Sequence, residues 1–276
     1  MNKPPDTHFV DYESLAAERA AVKQHMGKIT KERIHGDPLG RKENNIARIA
    51  FENPNGLCPW NKEKAKPYRT ARFMRRTNCD AYFGAEGNTN WDLVSYDKQF
   101  NNLFQNTRGV QSIAAHNVHD SSGRYQPGGT FGVAVDYLST LVTDKRKDTT
   151  GLGRWCWMTV EGYGGHTTQI VTAYQPCTTG PKHLCAAYTQ QRTYFRERGN
   201  KKCARAIFRE HLLKALTTWR ENGERLILLV DGNENLQKDH LGKALRTQLN
   251  MVDLVEAQTG LVEARIIPLL VITEVP

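Results

Sequence analysis

No run of apolar residues approaches the about 18 that a membrane-spanning helix needs. The opening stretch, MNKPPDTHFVDYESLAAERAA, lacks the apolar centre of a signal peptide. Neither a membrane span nor secretion is therefore expected, and the reading is an intracellular chain for which a nuclear setting is admissible. Cysteine is sparse. Cys58, Cys79, Cys156, Cys177, Cys185 and Cys203 are scattered through a long chain, a pattern that excludes a disulfide scaffold and fits a reducing compartment. No C-x-x-C pair supports a zinc set from Cys177, His183, Cys185 and Cys203, so ordinary thiols are expected. No G-x-G-x-x-G follows a strand, which argues against a dinucleotide fold. Gly128-Gly129 in QPGGTFG has no following Lys-Ser/Thr and reads as a turn entering a strand. Internal repeats and low-complexity tracts are also absent.

What remains is an ordinary globular composition: 276 residues, 39% hydrophobic and 24% charged. Lysine and arginine number 38 against 29 acidic residues, a formal charge of +9, which suits a polyanionic partner. The excess is clustered. Lys62, Lys64, Lys66, Arg69, Arg72, Arg75 and Arg76 fall in one segment, and Arg192, Arg196, Arg198, Lys201, Lys202, Arg205 and Arg209 in another. Phosphate binding and plain solvated helix faces stand as equal readings of both.

Residues 11–26 read as a helix of strong helix formers, followed by a Gly-, Pro- and charge-rich linker to residue 45. From Ile46 the pattern changes to short apolar runs at 46–51, 80–85, 131–135, 155–160, 168–174 and 225–230, the expected strands. Helical patterns fit 67–77, 182–198 and 203–221; in the last, Leu212, Leu216 and Trp219 share one face. Strands mixed with helices predict a layered α/β (α+β) fold, and the strand-rich stretch 131–174 predicts antiparallel pairing and a sheet-on-sheet core. The expected organisation is an N-terminal helix and linker at 1–45, a domain at 46–257 and a divergent tail at 258–276.

The apolar runs end on oxygen-bearing side chains. Strand 46–51 runs into Glu52-Asn53-Pro54-Asn55-Gly56, strand 80–85 into Glu86-Gly87-Asn88, strand 168–173 into Tyr174-Gln175-Pro176, and strand 225–230 into Asp231-Gly232-Asn233. Each alone is an ordinary turn signal. Together they predict one oxygen-rich cluster of the kind hard cations require, with one or two carboxylates sufficient for magnesium. Asp231 and Asn233, two apart, are expected on one side of an extended strand end. His116, His119 and Asp120 read as surface polar residues rather than an acid/base pair.

These motifs, Asn53-Pro54-Asn55-Gly56-Leu57, Glu86, Gly128-Gly129, Tyr174-Gln175-Pro176 and Asp231-Gly232-Asn233, resemble in order and spacing those of the endonuclease/exonuclease/phosphatase superfamily. That group includes abasic-site endonucleases and the endonuclease domains of non-LTR retroelements. The resemblance implies a four-layered α/β sandwich with two facing mixed sheets. It also implies magnesium, or manganese in its place, and a DNA-cutting phosphodiesterase of retroelement type. Glu86 would be the principal metal ligand, with Asn53 and Asn55 beside it. Asp231 would orient or deprotonate the attacking water, Asn233 would bind the scissile phosphate, and Tyr174 would contact that phosphate or the leaving oxygen.

The sequence departs from that pattern in places. Val230 stands where the family usually has Gly, Glu52 where it has Trp, and Ala85-Glu86-Gly87 where Gln-Glu-Thr is common. After Asp253 the chain runs ARIIPLLVITEVP, so the family's closing Ser-Asp-His has no counterpart. The expectation is a C-terminally truncated domain with a sheet edge or core face left uncovered. Two rival readings follow: an inactive remnant that only binds nucleic acid, and a small-molecule phosphatase of inositol-phosphate type. No protein partner is implied.

Overall fold

The computed structural model describes residues 41–43, 46–57, 66–93, 104, 107–120, 123–178, 186–236, 238–254 and 269–274. The chain divides into two units, 1–41 and 42–276; the helix expected at 11–26 lies outside the described residues. Two mixed sheets form the second unit. One has the order β3-β4-β2-β1-β9, from Val110–Ala115, Thr130–Val135, Ala81–Ala85, Ile46–Glu52 and Leu269–Glu274. The other has the order β5-β6-β7-β8, from Val142–Lys147, Trp155–Glu161, Thr167–Tyr174 and Arg225–Asp231. β1 and β2 are parallel, as are β7 and β8, and the remaining pairs are antiparallel.

Period-two alternation sorts the side chains into layers. Ile49, Phe51, Phe83, Ala85, Met158, Ile170 and Leu229 fill the core between the sheets. Ala50, Tyr82, Phe131 and Val133 face the other way, onto α1 (Lys66–Thr77) through Ala71 and Met74. Val171 and Ala173 on the far sheet pack against Phe208, Leu212 and Leu216 of α4 (Ala204–Glu221) and Leu241, Leu245 and Leu249 of α5 (His240–Leu249). A short α2 (Asp136–Thr140) follows β4, and α3 (Ala187–Glu197) follows β7. Helix, sheet, sheet, helix is the four-layered sandwich expected. Tight spots in the first sheet are filled reciprocally: Phe83 covers Gly132 on one face and Phe131 covers Gly84 on the other, where a Cβ would fall within 2.4 Å of the ring.

Three strands and two helices were not foreseen: β3, β5, β9, α2 and α5. The most consequential is β9. It lies in the segment read as a divergent tail, yet it pairs antiparallel with β1 from Ile46↔Glu274 to Phe51↔Leu269. β9 therefore lies at the edge of that sheet, beside β1. Among the described residues, no helix is long and apolar enough to cross a membrane.

Candidate active site

Strand parity also decides what the strand ends present. Asn53 continues the face of Ile49 and Phe51, Tyr174 that of Ile170, and Asp231 that of Ile227 and Leu229. All three therefore project at the rim of the core between the sheets. Parallel register sets Tyr174 directly beside Asp231 on one sheet, and Glu52 beside Gly84, two residues before Glu86, on the other.

The side chains meet there. Asn53 Nδ2 donates to Glu86 Oε2 and to Asp231 Oδ2, each at 2.6 Å, so the two carboxylates are at most twice that distance apart. The Tyr174 hydroxyl donates to Glu86 Oε1 at 2.6 Å. Burial, then the bond to Glu86, raises the Tyr174 pKa far above its ordinary value, which keeps the phenol a donor. Burial also raises Asp231 above its ordinary 3.8; the donors Asn53 and Asn233 oppose this, the Glu86 charge adds to it, and Arg205 opposes it.

Asn55 and Asn233 flank this cluster. Asn55 N donates to Asn53 Oδ1 at 2.8 Å, and its own Oδ1 accepts from Asn88 at 3.4 Å. Asn233 does not extend β8 as expected. Its backbone is left-handed, with φ 46°, and its N–H turns back onto Asp231 Oδ1 at 3.2 Å, because an Asp side chain readily closes such a turn. The Asn233 amide then donates to Gln175 O at 2.8 Å and accepts from Cys177 Sγ at 2.8 Å. Left-handed backbone recurs at Asn55, Glu86, Asn88 and Asn233. Glu86 is the telling case, since among the described residues with positive φ it alone, glycines aside, is neither Asn nor Asp. Such strain costs about 1–3 kcal/mol and tends to collect at functional sites.

Several contributors went unrecognised as such in the sequence. Asn88 accepts from Gly128 N at 2.7 Å and so ties the Glu86 loop to the Gly128-Gly129 turn. Lys66 donates to Pro54 O, and to Asn55 O at 3.0 Å, anchoring the Asn53 turn. Arg205 and Arg209 point inward to Glu234, at 2.8 and 3.6 Å, while Lys202 pairs with Glu210. Part of the second basic cluster is thus internal structure. His116 departs from expectation too: it is buried, with Nε2 3.2 Å from Asp92 rather than from Asp120. His119 meets Thr150 O at 2.7 Å.

The donor set is all oxygen and amide. Among the described residues there is no group of three or more His, Cys, Asp or Glu able to hold a metal, whereas magnesium needs only one or two carboxylates and keeps its waters. Two converging carboxylates joined by a neutral amide fit a hard divalent cation and not a nitrogen- or sulfur-seeking one.

No family model and no curated protein matches this chain. Among solved structures it is similar to an AP endonuclease from Archaeoglobus fulgidus, at 12% identity and TM-score 0.43, over 72% of this chain and 63% of that one. It is similar also to a 3'-5' exonuclease from Neisseria meningitidis, at 13% identity and TM-score 0.41, over 67% and 57% respectively. A mannosyl-6-phosphatase from Bacteroides thetaiotaomicron gives 11% identity and TM-score 0.41, over 74% and 70%. The chain spans less than two thirds of the length of the first two. These likenesses are remote, and the architecture rests on the chain's own sheet order and registers.

Proposed function

We propose that this chain is a magnesium-dependent phosphodiesterase, a DNA endonuclease of retroelement type, that cuts by placing water in line with a phosphodiester. The observation that carries the proposal is the single Asn53 amide bridging Glu86 and Asp231 across the two sheets. Two carboxylates this close repel, and a neutral amide offsets the repulsion without cancelling their charge. Glu86, with Asn53 and Asn55 beside it, would hold magnesium or manganese, which would neutralise the phosphate oxygens. Asp231, facing the same rim, would accept the proton of the attacking water. Tyr174 holds the Glu86 carboxylate in place through its hydroxyl. The exposed Asn233 amide has a second N–H beyond the one given to Gln175 O, and it would donate that hydrogen to a phosphate oxygen.

Nucleic acid is favoured as substrate by the charge around the site. α1 begins at Lys66, on the Asn53 turn, and carries exposed Arg69, Arg72, Arg75 and Arg76. α3 begins with Ala187 against the core beside Tyr174 and leads to exposed Arg196, Arg198 and Lys201. The test is nicking of supercoiled plasmid by the 276-residue chain with magnesium or EDTA, beside Glu86→Ala and Asp231→Ala. Magnesium-dependent nicking lost in both variants supports the proposal. Salt-sensitive DNA binding with no turnover would favour the inactive binder, and inositol phosphate hydrolysis with no nicking would favour the small-molecule phosphatase.

A further inference from the structure

We infer that Arg205 is the positioning residue of this site: its guanidinium spans the ends of β7 and β8 and fixes the turn that presents Asp231 and Asn233 beside Tyr174. The inference rests on the proposed roles of Asp231 and Asn233. Arg205 lies in the first turn of α4, so its place is set by a helix packed on the sheet through Phe208 and Leu212. One nitrogen of the fork, NH1, donates to Pro176 O at 3.1 Å and Asn233 O at 3.2 Å. The other, NH2, donates to Asn233 O at 3.2 Å, Gly232 O at 3.4 Å and Glu234 Oε2 at 2.8 Å. Three carbonyls of non-strand backbone and one carboxylate thus depend on one planar cation.

The Glu234 carboxylate completes the arrangement. Its side chain is 6% exposed and that of Arg205 is 12% exposed, so both are largely withdrawn from water. Glu234 Oε2 also accepts from Gln175 Nε2 at 2.8 Å, and Oε1 accepts from Leu241 N at 2.7 Å in the first turn of α5. Gln175, fully buried, donates in addition to Gly232 O at 2.6 Å. The turn after β8 is therefore held from α4, from α5 and from the end of β7. From within, the Asp231 carboxylate closes the turn by accepting from Asn233 N at 3.2 Å, and the outside contacts fix where that turn sits. Only a guanidinium offers several donors in a fixed plane; the ammonium of lysine is a compact point charge on a flexible stem. Lysine at 205 can neutralise Glu234 but cannot serve three carbonyls at once.

The test uses the full chain with Arg205→Lys and Arg205→Ala, measuring plasmid nicking and hydrogen exchange of backbone amides. Arg205→Lys is expected to lower kcat by about 100-fold with KM within twofold, the scale of a small misplacement of reacting groups. Exchange should rise across 231–236 while the β6–β7 amides stay protected. Free guanidinium at non-denaturing concentration is expected to restore part of the Arg205→Ala activity, and ammonium none. Wild-type kcat and local exchange in Arg205→Lys would overturn the inference, as would exchange rising evenly over the whole domain. A wild-type chain that does not nick DNA defeats the proposed function instead, and the exchange comparison still decides whether Arg205 holds the turn.

Discussion

Replacing Asp148 by Ala should unfold this domain more effectively than any single change at its surface. Arg154 and Asp148 are 0% and 1% exposed, and they meet through two bonds, Nε to Oδ2 at 2.6 Å and NH2 to Oδ1 at 2.9 Å. The guanidinium lies 4.3 Å from the Trp155 ring and 5.4 Å from that of Phe195. Its NH2 also faces His211 Nδ1 at 3.2 Å, and its NH1 has no hydrogen-bond partner among the described residues. Removing Asp148 strands a cation where water does not reach, a loss of about 3–5 kcal/mol. Thr150, which donates to Asp148 from both its backbone N and its hydroxyl, loses about 1 kcal/mol more per bond. Against a total stability of about 5–15 kcal/mol, that leaves the fold near its threshold. The effect reaches the site, because Tyr174 N donates to Arg154 O at 2.8 Å. Urea unfolding followed by circular dichroism reads the loss as a lower midpoint at unchanged slope. The double variant Asp148→Leu/Arg154→Met should cost less than half as much, since no charge is left unpaired. A loss below about 1 kcal/mol for Asp148→Ala, or strict additivity in the double variant, would show that Arg154 does not depend on Asp148 for its charge.

Two further outcomes follow from the titrating groups. Burial disfavours the Cys203 thiolate, but the Ala206 and Arg205 backbone N–H groups at the start of α4, the Tyr188 hydroxyl and the Arg209 charge outweigh it and hold the thiol below its ordinary 9.0. Burial raises Cys79 and Cys177 and pushes Cys156 up to about 12, with Glu86 and Asp231 adding to the rise at Cys177. Peptide mapping after brief alkylation should therefore find Cys203 labelled before these three, and faster labelling of Cys177 would contradict the assignment. Burial holds His116 below its ordinary 6.5, with Asp92 pulling the other way and Lys147 adding to the depression. The unfolded chain then takes up its proton first, so this contribution to stability is present above pH 6.5 and is lost as pH falls below it. His211 shifts in the same direction, so His116→Asn should shrink the acid-induced drop in the urea midpoint without abolishing it. An unchanged drop would count against a buried neutral His116.

Strands with strong apolar runs were legible in the sequence because burial on both faces, as in Ala81–Ala85 and Thr130–Val135, demands continuous hydrophobicity. The strand VTDKRK gave no such signal: among the described strands β5 pairs with β6 alone, and most of its side chains face solvent. β3, with Gln, Ser and two alanines, carries little apolar weight of its own. β9, LLVITE, carries an apolar run as strong as the others, and what the sequence leaves hidden is its pairing with β1, more than 200 residues away. At the site, strand-end chemistry pointed to Asn53, Glu86, Tyr174 and Asp231 because those residue types stop strands with oxygen. The direction of Asn233 was misjudged, since the Asx turn at Asp231 overrides strand alternation. Arg205 looked like one charge among many, and nothing local distinguishes an arginine that turns inward from one that faces water.

Whether Glu86 and Asp231 work as one unit across the two sheets is decided by single-turnover nicking rates of Glu86→Gln, Asp231→Asn and the double variant, each shown to be folded. Residues acting together lose their effect together, so the double variant should be no slower than the slower single. Multiplied losses in the double variant, or either single variant cutting at the wild-type rate, would mean that the two carboxylates act independently or not at all.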